Sequence, residues 1–245
     1  MKSYQLKFPF AFLLAFSLLS SGCASSQSIL DRAKKAAGIG GGGVTESEAG
    51  GGIKEALNQG VSTAVNFLNK KDGFFGNELY KVLLPPEAQK MEKTLRGLGL
   101  NKMVDDAILQ INRGAEDAVG FATPIFVNAI KQMTVTDALK LVSSSSKSSI
   151  TDYFKEKTSV QLKAAFQPVI DTSLQKTNAT KYYGDVVTKY NSLPTTMKKM
   201  NPDLAGYVAD KAIAALFDRI AVEEKNIREN PAARTTELLK KVFGK

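Results

Sequence analysis

Val104 to Met133 reads VDDAILQINRGAEDAVGFATPIFVNAIKQM, and its spacing decides the fold. Small or apolar residues fall at Val104, Ile108, Ile111, Ala115, Val119, Ala122, Phe126, Ile130 and Met133. Steps of three and four place them on one stripe, the pattern of a helix buried along one side. Pro124 follows Gly120 by four residues. A proline there removes a helical hydrogen bond and crowds the carbonyl of residue 120, so a kink or short break is expected. Asn112, Arg113 and Glu116 lie beside the stripe, and buried polar groups of that kind need partners.

Towards the N-terminus, Ile53, Leu57, Val61, Ala64 and Leu68 mark a first amphipathic helix, ended by the turn residues Lys71-Asp72-Gly73. Leu79 to Leu84 is a short extended candidate without an evident partner strand. Pro85-Pro86-Glu87 opens a helix running to about Arg96 and stopping at Gly97. Towards the C-terminus, Thr134-Val135-Thr136-Asp137 resembles a capping box for a helix to Val142. A serine-rich loop, Ser143 to Ser149, precedes a restart at Ile150-Thr151-Asp152. Thr158 and Ser159 are expected to cap a further helix, Val160 to Gln175, with the stripe Leu162, Phe166, Val169, Ser173 and an internal Pro168. A short helix over Tyr182–Asn191 ends before Pro194. Asn201-Pro202-Asp203 then gives strong start chemistry for a helix through Leu204, Val208, Ala212, Ala215, Phe217 and Ile220 to about Glu229. Asn230-Pro231 repeats it for a last helix with Leu238, Leu239, Val242 and Phe243. Nothing shows sustained period-two alternation, and no internal repeat is visible. The expected fold is all-α: one multi-helix domain with kinked helices over residues 53–245.

What precedes the domain reads as address and leash. Lys2 and Lys7 give a positive start, Phe8 to Leu19 is an apolar run, and Ser20-Ser21-Gly22-Cys23 follows. The run is too short to span a bilayer and has the size of a signal-peptide core. Small residues before a lone cysteine resemble a lipobox, although Ser20 stands where leucine is usual. Residues 1–22 are therefore expected to be a lipoprotein signal peptide, and Cys23 a lipidated first residue carrying palmitate-type chains. Each buried CH₂ of an acyl chain contributes roughly 0.8 kcal/mol, so several chains hold a protein firmly. Ala24 rather than aspartate follows the cysteine, which by resemblance to enterobacterial sorting favours the outer membrane, facing the periplasm. Residues 23–52, dense in glycine from Gly38 to Gly52, are expected to be a flexible tether. A phosphate-cradling loop would need a preceding strand and a Gly-Lys-Ser/Thr ending, and neither is present.

Composition narrows the chemistry. The chain has 245 residues, a formal net charge of +9, no His, no Trp and one Cys. A Ser-His-Asp triad, a Cys-His pair and a zinc site built from His or Cys cannot be assembled. Neither can an internal disulfide. In an exported chain the basic balance points to anionic headgroups or cell-wall polymers before nucleic acid, or simply to a solvated surface.

Several stretches together resemble a known family. They are Asn112-Arg113-Gly114-Ala115-Glu116, Phe126-x-x-Ala129-Ile130-Lys131-Gln132-Met133, and Glu223-Glu224-Lys225-x-Ile227-Arg228-Glu229-Asn230-Pro231 followed by Arg234-Thr235-Thr236. Asp72-Gly73-Phe74 and Tyr153-Phe154 also fit. The resemblance is to domain of unknown function family 4197 and covers about Ile53 to Gly244, with the Ser143–Ser149 loop departing from the pattern. It implies an exported, helical protein without an assigned activity.

The candidate site is a polar set: Asn112, Arg113 and Glu116 on the central helix, with Glu223, Glu224, Arg228 and Arg234 near the end. Arg113 and Glu116 are three apart, Glu224 and Arg228 four apart, so each pair can meet on one face. If the two helices pack together, the set is expected to form one buried network, structural or ligand-anchoring. Glu116 with Glu223 or Glu224 is the only carboxylate pair worth considering for catalysis, and adjacent arginines are wrong for a general acid. Ser144-Ser145-Ser146-Lys147 has a Ser-x-x-Lys spacing without the companion motifs of serine-acylating enzymes. Phe74, Phe75, Phe121, Phe126, Phe154, Phe166 and Phe217 either fill a core or line a lipid pocket. No catalytic, cofactor or metal residue is assigned. The leading expectation is a lipid-anchored binding or scaffolding module whose partner is an envelope protein, a cell-wall polymer or a lipid. The alternatives are a carrier of an apolar ligand and, third, a carboxylate enzyme.

Overall fold

The computed structural model describes residues 46–176, 178–192, 194, 199–233 and 240. The elements are α1 (Glu46–Asn69), a 3-10 turn (Pro86–Ala88), α2 (Gln89–Gly97), α3 (Asn101–Val119), α4 (Ala122–Gln132), α5 (Val135–Ser143), α6 (Ser149–Gln175), α7 (Ala179–Asn191), α8 (Leu204–Glu229) and a 3-10 turn (Pro231–Ala233). No strand occurs among the described residues. Residues 1–45 with Cys23, Arg234, and the expected closing helix through Leu238, Leu239, Val242 and Phe243 lie outside them.

The quoted stripe divides into α3 and α4 at Gly120 and Phe121. Pro124 then stands in the first turn of α4, where its missing N–H would have had no intrahelical acceptor. The break is therefore at the glycine, and the proline is accommodated without loss. All nine stripe residues are buried. Phe126 of α4 meets Phe154 of α6 at 5.2 Å and Phe217 of α8 at 6.1 Å, both edge-to-face. Such pairs contribute about 0.5–1.5 kcal/mol beyond their area. α6, at 27 residues, packs most extensively on α8 and α3. It crosses α3 closely at Gly114, where an added Cβ would lie 3.1 Å from the Ser173 Cβ and 3.3 Å from the Ile170 Cα.

Several expectations need correction. α1 begins at Glu46 rather than Ile53, so residues 46–52 belong to the domain and not to the tether. Ala49, Gly50 and Gly52 are buried, and a Cβ on Gly50 would come within 2.9 Å of Val135 Cγ1. Here glycines permit close helix approach instead of conferring slack. Ile150 to Gln175 is one helix, not two. Thr158 and Ser159 do not cap anything; their hydroxyls donate back to the Phe154 and Lys155 carbonyls, the other local option open to these residues. The cap of α8 is Asp203, which accepts from the Gly206 N–H at 2.7 Å, rather than Asn201. The Thr134–Asp137 capping box forms as expected.

Candidate functional site

Asn112 is fully buried on the inner face of α3. Its Oδ1 accepts from the Val82 N–H and its Nδ2 donates to the Val82 carbonyl, both at 2.8 Å, with a second donation to the Ile108 carbonyl. The side-chain amide thus takes the place of a neighbouring strand at Val82, in a Leu79–Leu84 stretch that is not extended throughout as expected, since Leu79 and Tyr80 lie in a turn on Asn77. That stretch lacked a partner in the sequence because the partner is one side chain.

Glu116, one turn on, is also buried. Its Oε1 accepts from the Phe74 and Phe75 N–H groups at 3.1 Å each, and its Oε2 from Arg113 Nη1 at 2.5 Å. Arg113 Nη2 reaches Asp72 Oδ1 at 2.8 Å. The hydrogen bond to Glu116 pushes the Arg113 pKa further above its ordinary value. Asp72 has φ +65° and Gly73 cannot carry a side chain, since a Cβ would sit 2.3 Å from the Leu68 carbonyl oxygen. This strained turn points two backbone amides at one carboxylate. The Asn69 amide fastens the end of α1 to the Glu116 carbonyl oxygen at 2.8 Å.

Glu224 and Arg228 do a different job on α8. The first N–H groups of any helix lack intrahelical acceptors, and the last carbonyls lack donors. The N-cap residue of α6, Ser148, makes no side-chain cap. Glu224 supplies it from across the molecule: Oε1 accepts from the Ile150 N–H at 3.2 Å, and Oε2 from the Thr151 N–H at 3.0 Å and hydroxyl at 2.8 Å. Arg228 donates to the last carbonyls of α5, Leu141 at 3.0 Å and Val142 at 3.2 Å, and to Ser149 Oγ. The two side chains also pair at 3.0 Å, with only 1% of the Glu224 side chain exposed. An anion faces the positive end of α6 and a cation the negative end of α5, each where the helix dipole favours it. The pair is a clasp closing the α5–α6 hairpin.

Glu223, although adjacent, belongs elsewhere. It pairs with Arg219, whose guanidinium lies 4.2 Å over the Phe67 ring. Next to it, the Tyr80 hydroxyl donates to Asp218 at 2.8 Å; burial first, and that carboxylate second, push the phenol pKa up to about 12. The expected single network is therefore separate clusters, each holding a different joint of the fold, with Arg234 outside the described residues. Asp72, Asn69, Asp218 and Arg219 were the partners that sequence spacing missed. Arg219 stands four residues before Glu223 on the same helix and was readable from that spacing, whereas Asp72, Asn69 and Asp218 meet their partners from distant segments and carry no short-range signal.

The other candidates resolve simply. Lys147 pairs with Glu229 at 2.9 Å in an exposed serine loop. Phe74, Phe126, Phe154, Phe166 and Phe217 are core, while Phe121 is exposed.

Two open concavities stand out among the described residues. One, about 620 Å³, lies between residues 79–89 and α8, with Leu79 and Leu83 exposed beside it. The other, about 670 Å³, lies between α4 and α6 and is lined by Pro124, Ile125, Asn128, Ala129, Gln132, Asp137, Tyr153, Glu156, Lys157 and Gln161. Two acids share this second groove without an arginine. Even so, the Thr134 hydroxyl holds Asp137 below its ordinary carboxylate range, and Glu156 is paired with Lys157 at 2.7 Å. Asp137 so held is a poor source of the proton a general acid needs.

Comparison with known proteins gives a family and no function. No curated protein and no solved structure matches the chain. A family model described as protein of unknown function (DUF4197) matches residues 43–244, opening just before α1 begins. The chain belongs to that family.

Proposed function

We propose that this chain is a lipid-anchored, periplasm-facing module of the bacterial cell envelope that acts by binding or scaffolding and not by catalysis. The observation that carries the reading is the division of its polar groups. The buried carboxylates, Glu116, Glu223 and Glu224, are each engaged by protein donors, whereas an open groove is lined by polar side chains without protein partners among the described residues. A catalytic site would hold its reacting groups ready in a cleft instead. The anchoring half of the proposal rests on the Cys23 context, with membrane attachment through acyl chains and, by the residue after the cysteine, an outer-membrane address. No helix of the described residues is long and apolar enough to cross a membrane. The carrier alternative has less support, since the apolar hollow beside Leu57, Phe154 and Ile220 measures about 20 Å³, room for about one water.

Metabolic labelling with an alkyne palmitate tests the anchor. Label should enter the wild-type chain and be absent from Cys23→Ser, which should leave the membrane fraction. Equal fractionation of the two would overturn the anchoring half.

A further inference from the structure

The α4–α6 groove collects polar side chains whose hydrogen-bonding capacity the other described residues leave open. Gln161 and the Tyr153 hydroxyl have no partner among the described residues. Asn128 and Gln132 touch each other only at 3.5 Å, leaving one amide group of each open. Other amides are taken up by the fold: Gln167 on Asp203, Gln175 on Asp171, Asn191 on both backbone groups of Met200. The groove also has an apolar side, formed by Pro124, Ile125 and the Tyr153 ring.

The charges narrow the ligand. Lys157 is tied to Glu156, and the lining carries two carboxylates against that one cation. Phosphate, sulfate or a fatty acid would meet net repulsion. A purely apolar ligand would strand three amides and a phenol without water. Burial, with the nearby Asp137 charge second, pushes the Tyr153 pKa upward, so the hydroxyl stays a neutral donor. What fits is an uncharged molecule with several hydroxyl or amide groups on one edge and a C–H face on the other. The volume is within the range of small-molecule sites.

We infer that the α4–α6 groove binds a neutral saccharide, a segment of hydroxyl- or acetamido-bearing sugar chain, with Asn128, Gln132 and Gln161 on its polar edge and Tyr153 beneath its C–H face. This rests on the binding-module reading above and names the ligand class for it. It needs no covalent step.

The test is titration of the full chain, in detergent, with chitotetraose, cellotetraose and maltotetraose, followed by backbone amide NMR. At least one should give saturable shifts confined to residues 124–132 and 153–161. Gln161→Ala and Asn128→Ala, both exposed and outside the core, should each weaken that binding about tenfold while the melting temperature is unchanged. No saturable shift with any of the three at millimolar concentration would overturn the inference. So would shifts mapping elsewhere, or binding confined to the deacetylated, positively charged chitosan tetramer, which would make the groove a cation site. These outcomes are independent of palmitate uptake at Cys23, so the saccharide inference and the anchoring proposal fail separately.

Discussion

The Glu224–Arg228 clasp, reaching from α8, and the α4–α6 groove both bear on α6 and are opposites. At the clasp every donor and acceptor is consumed by the protein: one carboxylate starts α6 and one guanidinium finishes α5. Along the groove, amides and a phenol are left over. Polar residues that close a fold are saturated by it, and polar residues kept for a ligand are not. Charge and burial alone would have ranked the two sites the wrong way round, because Glu224 is the more deeply buried and the more conspicuous.

The comparison breaks most visibly if the clasp is cut. Glu224→Ala leaves Arg228 and two helix amides without their anion, and a one-sided cut of a buried pair costs about 3–5 kcal/mol. Urea denaturation should show a loss of that size or failure to fold; a loss below about 1 kcal/mol would mean the clasp is decorative. Asn112→Ala comes next, since it strands both backbone groups of Val82, and about 2–3 kcal/mol should disappear. Tyr80 gives a pH signature. Its pKa is raised in the fold to about 12, so its contribution is complete below its unfolded value near 10 and is lost as pH rises through 12. Stability measured from pH 9 to 12 should therefore fall less steeply in Tyr80→Phe than in wild type. The smallest effect belongs to the groove: Gln161→Ala should change stability by no more than about 0.5 kcal/mol, which separates it cleanly from the clasp.

Much of the fold was legible because it is written at short range. The stripe from Val104 to Met133, the Thr134–Asp137 box and the Glu224–Arg228 spacing all rest on neighbours within one or two helical turns. The misreadings share one cause. Ser, Thr and Gly have two local uses, and tertiary packing chooses between them. Thr158 and Ser159 bond backwards inside α6 instead of starting it, and Gly50 brings α1 against Val135 instead of loosening the chain. The i,i+4 pairing of Glu224 and Arg228 was readable, but their targets were not, since the helix amides Glu224 serves lie 73 and 74 residues away and the carbonyls Arg228 serves lie 86 and 87 away. The groove left no linear motif at all. Its amides come from two helices and become a set only when α4 lies beside α6.

The central claim is that Glu224 caps α6 as part of the fold, and native-state amide exchange of Ile150 and Thr151 tests it most directly. Amides at the second and third positions of a helix normally exchange freely for want of an acceptor. If Glu224 holds them, both should be protected to nearly the same extent as the core amide of Phe154 and should lose that protection in Glu224→Ala. Exchange as fast in the wild type as at Val135 and Thr136, the opening amides of α5 that the Thr134 box leaves to solvent, would contradict the account.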